Sequence, residues 1–227
     1  MRELSEEAQT MLGGLGRFPV TGAGAGEMED AKADAHLLEI PNGKAAEGDQ
    51  VTGAARGTAY HTFLEKLDYG EGAKPVSDQL KTLVDREILS SREADAIDTK
   101  KIERFLESSI GRRAAKADAM GRLFREKRFM MEIPATDIYA FAAEDDRVLL
   151  QGIVDLYMVE EDGIVLVDYK TDRVRSADEL IERYRVQLDY YADAISRGTG
   201  SPVKEKIIYS LALSEVIELT GGARKEH

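Results

Sequence analysis

Two runs, Gly152-Ile153-Val154-Asp155-Leu156-Tyr157-Met158-Val159 and Gly163-Ile164-Val165-Leu166-Val167-Asp168-Tyr169-Lys170, constrain this chain more than any other feature. Both are short, rich in β-branched and aliphatic residues, and apolar on both alternating faces, as central strands buried on two sides are. Glu160-Glu161-Asp162-Gly163 between them is a good hairpin turn. A two-residue loop at Glu161 and Asp162 would set Asp155 opposite Asp168, with Cβ atoms about 4.5–5.5 Å apart. A glycine bulge at Gly163 would shift that register by one.

An ionised carboxylate in a buried strand is costly without a partner. Two side by side repel as well, and one is driven to protonate unless a cation stands between them. Lys170 follows Asp168 by two residues and so shares its face of the strand. Two acids and a lysine on one face suit metal-dependent phosphodiester hydrolysis: carboxylates hold Mg²⁺, and the lysine orients the attacking water or helps to deprotonate it. The plainer alternative is a buried Asp155–Lys170 ion pair with Asp168 at a strand end.

Around this hairpin, Phe129–Ile133 and Val148–Val159 are expected to be strands. A helix is expected from the capping box of Ser176 and Glu179 to Gly198, followed by strands over Val203–Leu213 and Glu215–Leu219. The strand–helix–strand order predicts a parallel crossover and therefore a mixed sheet. Upstream, Tyr60, Phe63, Leu64 and Leu67 form an apolar stripe on a helix starting near Thr58, with His61 beside it. Further helices are expected over Ser77–Leu89, Thr99–Ile110 and Arg112–Arg125. Residues 1–55 form an irregular Gly/Ala-rich extension or linker, whose glycines lack the Gly-Lys-Ser/Thr of a phosphate loop, and residues 56–227 form the domain proper.

Without cysteine, any metal must be held by oxygen or histidine ligands. With 43 acidic against 31 basic residues, a net charge of −12 argues against tight DNA binding through the chain's own field. No apolar run has membrane-spanning length, and the acidic Met1–Glu7 segment is unlike a secretory signal, so a cytoplasmic protein is expected.

Gly152-Ile153-Val154-Asp155-Leu156, Val167-Asp168-Tyr169-Lys170-Thr171-Asp172 and Tyr184-x-x-Gln187-Leu188-x-x-Tyr191-Ala192 together resemble the RecB-type branch of the PD-(D/E)xK nucleases. Gly57-Thr58-Ala59-Tyr60-His61 is similar to that branch's Gly-x-x-x-His element. The similarity runs from Arg56 to Leu219 and is greatest to the nuclease domains of AddA-type helicase-nucleases. It implies a restriction-endonuclease-like α/β core: a mixed central sheet flanked by helices, with a helical N-terminal part.

Carried over by position, the resemblance makes Asp155 and Asp168 metal ligands, with the Tyr169 carbonyl as a further ligand and His61 at the metal. Lys170 becomes the catalytic lysine, and Gln187 and Tyr191, four apart on one helix, overlook the site. Tyr184 and Leu188 are expected in the core. Arg125-Glu126-x-x-Phe129 resembles another family element, in which Glu126 has no assigned role.

The implied function is Mg²⁺-dependent hydrolysis of DNA, with Mn²⁺ able to substitute. It would be an exonuclease acting on single strands delivered by an ATP-dependent helicase in bacterial double-strand break repair and recombination. The implied partners are DNA, a helicase portion of the same polypeptide or complex, and an AddB-like protein, with no membrane. Helicase motifs and the iron–sulfur cysteines of some relatives are absent, so unwinding would reside elsewhere. A catalytically silent module that docks a helicase or guides a strand is the alternative, which an intact triad disfavours. A phage-type exonuclease or restriction-like endonuclease is disfavoured by His61, Gln187 and Tyr191.

Overall fold

A computed structural model describes residues 53–70, 72–137 and 143–219. Apart from residues 53–55, the expected extension lies outside the described residues. Among the described residues, five helices precede the sheet: α1 (Gly53–Lys66), α2 (Val76–Asp85), α3 (Ser91–Asp95), α4 (Thr99–Glu107) and α5 (Ser109–Ala119). β1 (Leu123–Pro134), β2 (Arg147–Glu160) and β3 (Gly163–Lys170) follow, then α6 (Ala177–Thr199), β4 (Val203–Ser210) and β5 (Glu215–Glu218). The sheet order is β1-β2-β3-β4-β5. β2 and β3 pair antiparallel, β3 and β4 parallel across the α6 crossover, and β4 and β5 antiparallel, which makes the sheet mixed as expected.

The chain divides into two compact units. One takes in Val51–Phe129 and Ile153–His227 and carries the main core and every candidate site residue. Of the described residues, the other takes in 130–137 and 143–152, where Met131, Ile133, Ala135, Val148 and Leu150 are buried.

The hairpin register is the expected one. The paired positions run from Glu160–Gly163 to Leu156–Val167, and the same register continued by one position sets Asp155 opposite Asp168. Gly163 introduces no bulge; its φ of 144° closes the turn, and a Cβ there would lie 3.0 Å from the Pro202 carbonyl. The one register shift of β3 falls on its other edge, between Ile164 and Val165 against β4.

Alternation then sorts the side chains. Leu156, Met158, Val165, Val167, Tyr169, Ile207 and Tyr209 join one core with Tyr60, Phe63, Leu64 and Leu67, the stripe read from the sequence, and with Ile102 and Phe105 of α4. The alternate residues of β3 and β4 face α6, where Lys206 pairs with Asp189 and Lys170 reaches Gln187.

Several boundaries differ from expectation. α1 begins at Gly53 rather than near Thr58. The helix expected over Arg112–Arg125 ends at Ala119, because Gly121 turns left-handed at φ 66° and the Gly121 and Arg122 N–H groups return to the Asp118 and Ala117 carbonyls. That Schellman closure releases Leu123 to begin β1. The capping box expected at Ser176 and Glu179 is not made: Ser176 caps α6 without a side-chain bond, and Glu179 accepts from Arg175 N–H at 3.3 Å. A true capping box closes α3 instead, between Ser90 and Glu93.

Because Gly163 holds a conformation that L side chains rarely adopt, Gly163→Ala should lower unfolding free energy by about 1–3 kcal/mol in urea titration. A change near zero would show that the turn, and with it the Asp155–Asp168 register, is differently built.

Candidate active site

Side chains from four elements meet around the Asp155–Asp168 pair. From α1, His61 Nδ1 lies 3.1 Å from Asp155 Oδ1, while the other Asp155 oxygen accepts the Tyr169 backbone N–H at 2.9 Å. The histidine reaches across from a helix that passes close to the chain leaving β3. Arg56 donates to the Thr171 carbonyl, and a Cβ at Gly57 would stand 3.2 Å from Thr171 Oγ1. A large residue at position 57 would push that turn of α1 away, which explains the glycine four residues before the histidine.

On β3, Lys170 Nζ sits 2.7 Å from Asp168 Oδ2, with the two side chains 12% and 3% exposed. Lys170 also donates to Gln187 Oε1 at 3.4 Å, and Gln187 Nε2 donates to the Tyr191 hydroxyl at 2.6 Å. The Gln-x-x-x-Tyr face of α6 therefore does overlook the lysine. Tyr184, expected to be plain core, is buried but lays its ring 4.0 Å from Lys170 Nζ.

Tyr169 serves the site with its backbone and the core with its side chain. Its hydroxyl meets that of Tyr69 at 3.2 Å, and the Phe105 ring stands edge-on to it at 5.2 Å.

Burial and charge divide the two aspartates. Burial pushes Asp155 up, but His61, Lys170 and the Tyr169 N–H outweigh it and hold the carboxyl below the ordinary range. Asp168 is pushed up to about 6, chiefly by burial and also by Asp155, with Lys170 opposing. Burial lowers His61 and Lys170, yet the neighbouring carboxylates prevail and raise both. An ionised Asp155 only accepts, so the His61 proton is assigned to Nδ1.

His61, Glu126 and Asp155 bring one ligand atom each within 4.8 Å of one another. Carboxylate oxygens and imidazole nitrogen are a donor set that fits a hard divalent cation such as Mg²⁺ or Mn²⁺. Of the four expected ligands, His61 and Asp155 stand in this cluster. Asp168 lies across the strand pair, held by Lys170, and Tyr169 offers its N–H to Asp155. Glu126 carries no role in the sequence reading. It lies in β1 with its backbone at φ 47°, an uncommon conformation for a residue other than glycine. No periodicity signals such a residue; its only trace is the Arg125-Glu126-x-x-Phe129 element.

This constellation on a mixed, helix-flanked sheet agrees with a family comparison: the model of the PD-(D/E)XK nuclease superfamily matches residues 34–221. The chain belongs to that superfamily. Among curated proteins, the A chain of the ATP-dependent helicase/nuclease of Clostridium novyi (strain NT) is 38% identical over 178 residues, covering 75% of this chain and 14% of that protein. Its counterpart of the same name in Clostridium botulinum (strain 657 / Type Ba4) is 34% identical over 179 residues, covering 76% and 14%. The chain thus spans only 14% of the length of these relatives. Among the described residues, no helix is long and apolar enough to cross a membrane.

The two aspartates should titrate far apart. Asp168, raised to about 6, supports folding in its protonated form; that support is complete at pH values below the ordinary carboxylate range and is lost as the pH rises through 6. Carboxyl carbon NMR in EDTA should find Asp168 titrating near pH 6 and Asp155 titrating below the ordinary carboxylate range. Asp155 as the higher of the two would contradict this division.

Proposed function

We propose that this chain is the nuclease domain of a helicase-nuclease and hydrolyses DNA phosphodiester bonds with Mg²⁺, for which Mn²⁺ can substitute. The observation that carries the proposal is the meeting of His61, Asp155, Asp168 and Lys170 where the end of β3 lies beside the middle of β2, with Glu126 near His61 and Asp155.

Asp155, His61 and Glu126 would hold the cation, with Asp168 and the Tyr169 carbonyl as further ligands. When bound, the cation supplies Lewis-acid stabilisation of charge on the phosphoryl oxygens. Lys170 is kept protonated by Asp168 and Asp155, against the pull of burial. It therefore acts as a cationic donor, orienting the attacking water and the phosphate rather than removing a proton. Gln187 fixes the ammonium, and Tyr191 fixes Gln187.

The relatives' name supplies the setting: an ATP-dependent motor feeds strands to the nuclease. The sequence has a net charge of −12, so substrate reaches the site by delivery more than by attraction, and local cations such as the exposed Arg173 and Arg175 guide it. The substrate is a DNA strand, taken as a single strand and cut exonucleolytically, in bacterial double-strand break repair and recombination. The partners are a helicase portion and an AddB-like protein, and the compartment is the cytoplasm. Residues 56–227 form the nuclease domain and residues 1–55 an extension.

End-labelled single-stranded DNA should be degraded with Mg²⁺ and left intact with EDTA. Lys170→Ala should keep its thermal midpoint in Mg²⁺ and lose about 10²-fold or more in single-turnover rate. A mutant that unfolds early yet cuts normally when cooled would mark the lysine as a structural counter-ion. A wild-type protein that binds Mg²⁺ and DNA but never cuts would favour the silent docking module.

A further inference from the structure

The Lys170 ammonium has three directions in which to donate, and two of its neighbours are oxygens: Asp168 Oδ2 at 2.7 Å and Gln187 Oε1 at 3.4 Å. A third neighbour is the face of Tyr184, whose centroid lies 4.0 Å from Nζ. The ring is itself fixed. Its hydroxyl donates to Asp172 Oδ1 at 3.0 Å, and Arg183 donates to the same oxygen at 2.8 Å. Asp172 is two residues beyond the lysine, so the segment that ends the catalytic strand returns to hold the ring that faces its own lysine.

We infer that Tyr184 is a positioning residue for Lys170: its ring face holds the ammonium against Asp168 and Gln187, and Asp172 locks the ring. The inference rests on the proposed role of Lys170. A lysine has a long flexible stem and a compact charge, so without a wall it samples several rotamers. The negative face of an aromatic ring attracts the ammonium but neither takes its proton nor occupies an oxygen-directed N–H. At 4.0 Å in a site only 12% exposed at the lysine, that attraction acts with little screening by water. The ring thus closes one side of the ammonium.

The test compares Tyr184→Phe with pentafluorophenylalanine at position 184, which keeps the ring's shape and inverts the potential of its face. Tyr184→Phe, which keeps the ring face and loses only its bond to Asp172, should cut single-stranded DNA faster than the variant with the fluorinated ring. The fluorinated ring should lose about tenfold in kcat, the size of a shielded cation–π contact, at unchanged KM and unchanged Mn²⁺ affinity. A second readout needs no turnover: the Lys170 ε-methylene protons should be shifted upfield by the ring in wild type and Tyr184→Phe, and not in Tyr184→Leu. Equal rates for the two rings, or a Phe variant as slow as the fluorinated one, would overturn the inference. Lys170→Ala, measured alongside, separates the two readings. If it is inactive while the rings are equal, the Tyr184 inference falls alone; if it cuts at the wild-type rate, the catalytic role of Lys170 falls and takes the inference with it.

Discussion

Asp155 and Asp168 lie on adjacent buried strands, and the repulsion of two buried carboxylates would expel or neutralise one of them unless opposite charge were supplied. The surrounding architecture supplies it. α1 brings His61 to Asp155, β3 brings Lys170 to Asp168, and the backbone of Tyr169 adds an N–H to Asp155. The compensation is uneven: Asp155 is held ionised while Asp168 is pushed to about 6. That unevenness leaves a firm anion beside a weaker acid until a cation joins the two.

The helical layer makes this arrangement rigid from behind. Tyr169 stands between the two aspects of β3, its N–H turned to the site and its ring clamped by the Tyr69 hydroxyl and the Phe105 edge. Arg125, adjacent to Glu126, stacks its guanidinium 4.6 Å from the Tyr69 ring and pairs with Asp118 of α5. The packed core under the sheet therefore reaches the site through the backbone of Tyr169 and through Arg125, the neighbour of Glu126 in the chain. Groups held this way keep their geometry when charge changes at the site.

The hairpin, its register and the two opposed aspartates are legible in the sequence because period-two alternation and turn chemistry are local signals. So is the apolar stripe of α1. His61 and the Gln187–Tyr191 face connect to the strands only through the family resemblance, since nothing local links a helix to carboxylates nearly a hundred residues away. Glu126 escapes because its placement depends on a left-handed residue within β1, where alternation no longer tells which face a side chain takes. Hydrophobic periodicity marks Tyr184 as buried, but it does not distinguish a ring packed on leucines from one packed on an ammonium. The misplaced capping box has a similar origin: Ser-x-x-Glu occurs at both Ser90 and Ser176, and only at Ser90 do both reciprocal bonds form.

The family is settled by the match over residues 34–221, whereas the claim that the site works as a metal centre rests on the two carboxylates sharing a cation. Anomalous diffraction from crystals soaked in Mn²⁺ addresses it directly. Density should lie about 2.0–2.6 Å from a carboxylate oxygen of both Asp155 and Asp168, with His61 and Glu126 at or next to the ion. No density between the aspartates at saturating Mn²⁺, with the Lys170–Asp168 and His61–Asp155 pairs undisturbed, would contradict the account and reduce the cluster to a self-neutralised structural network.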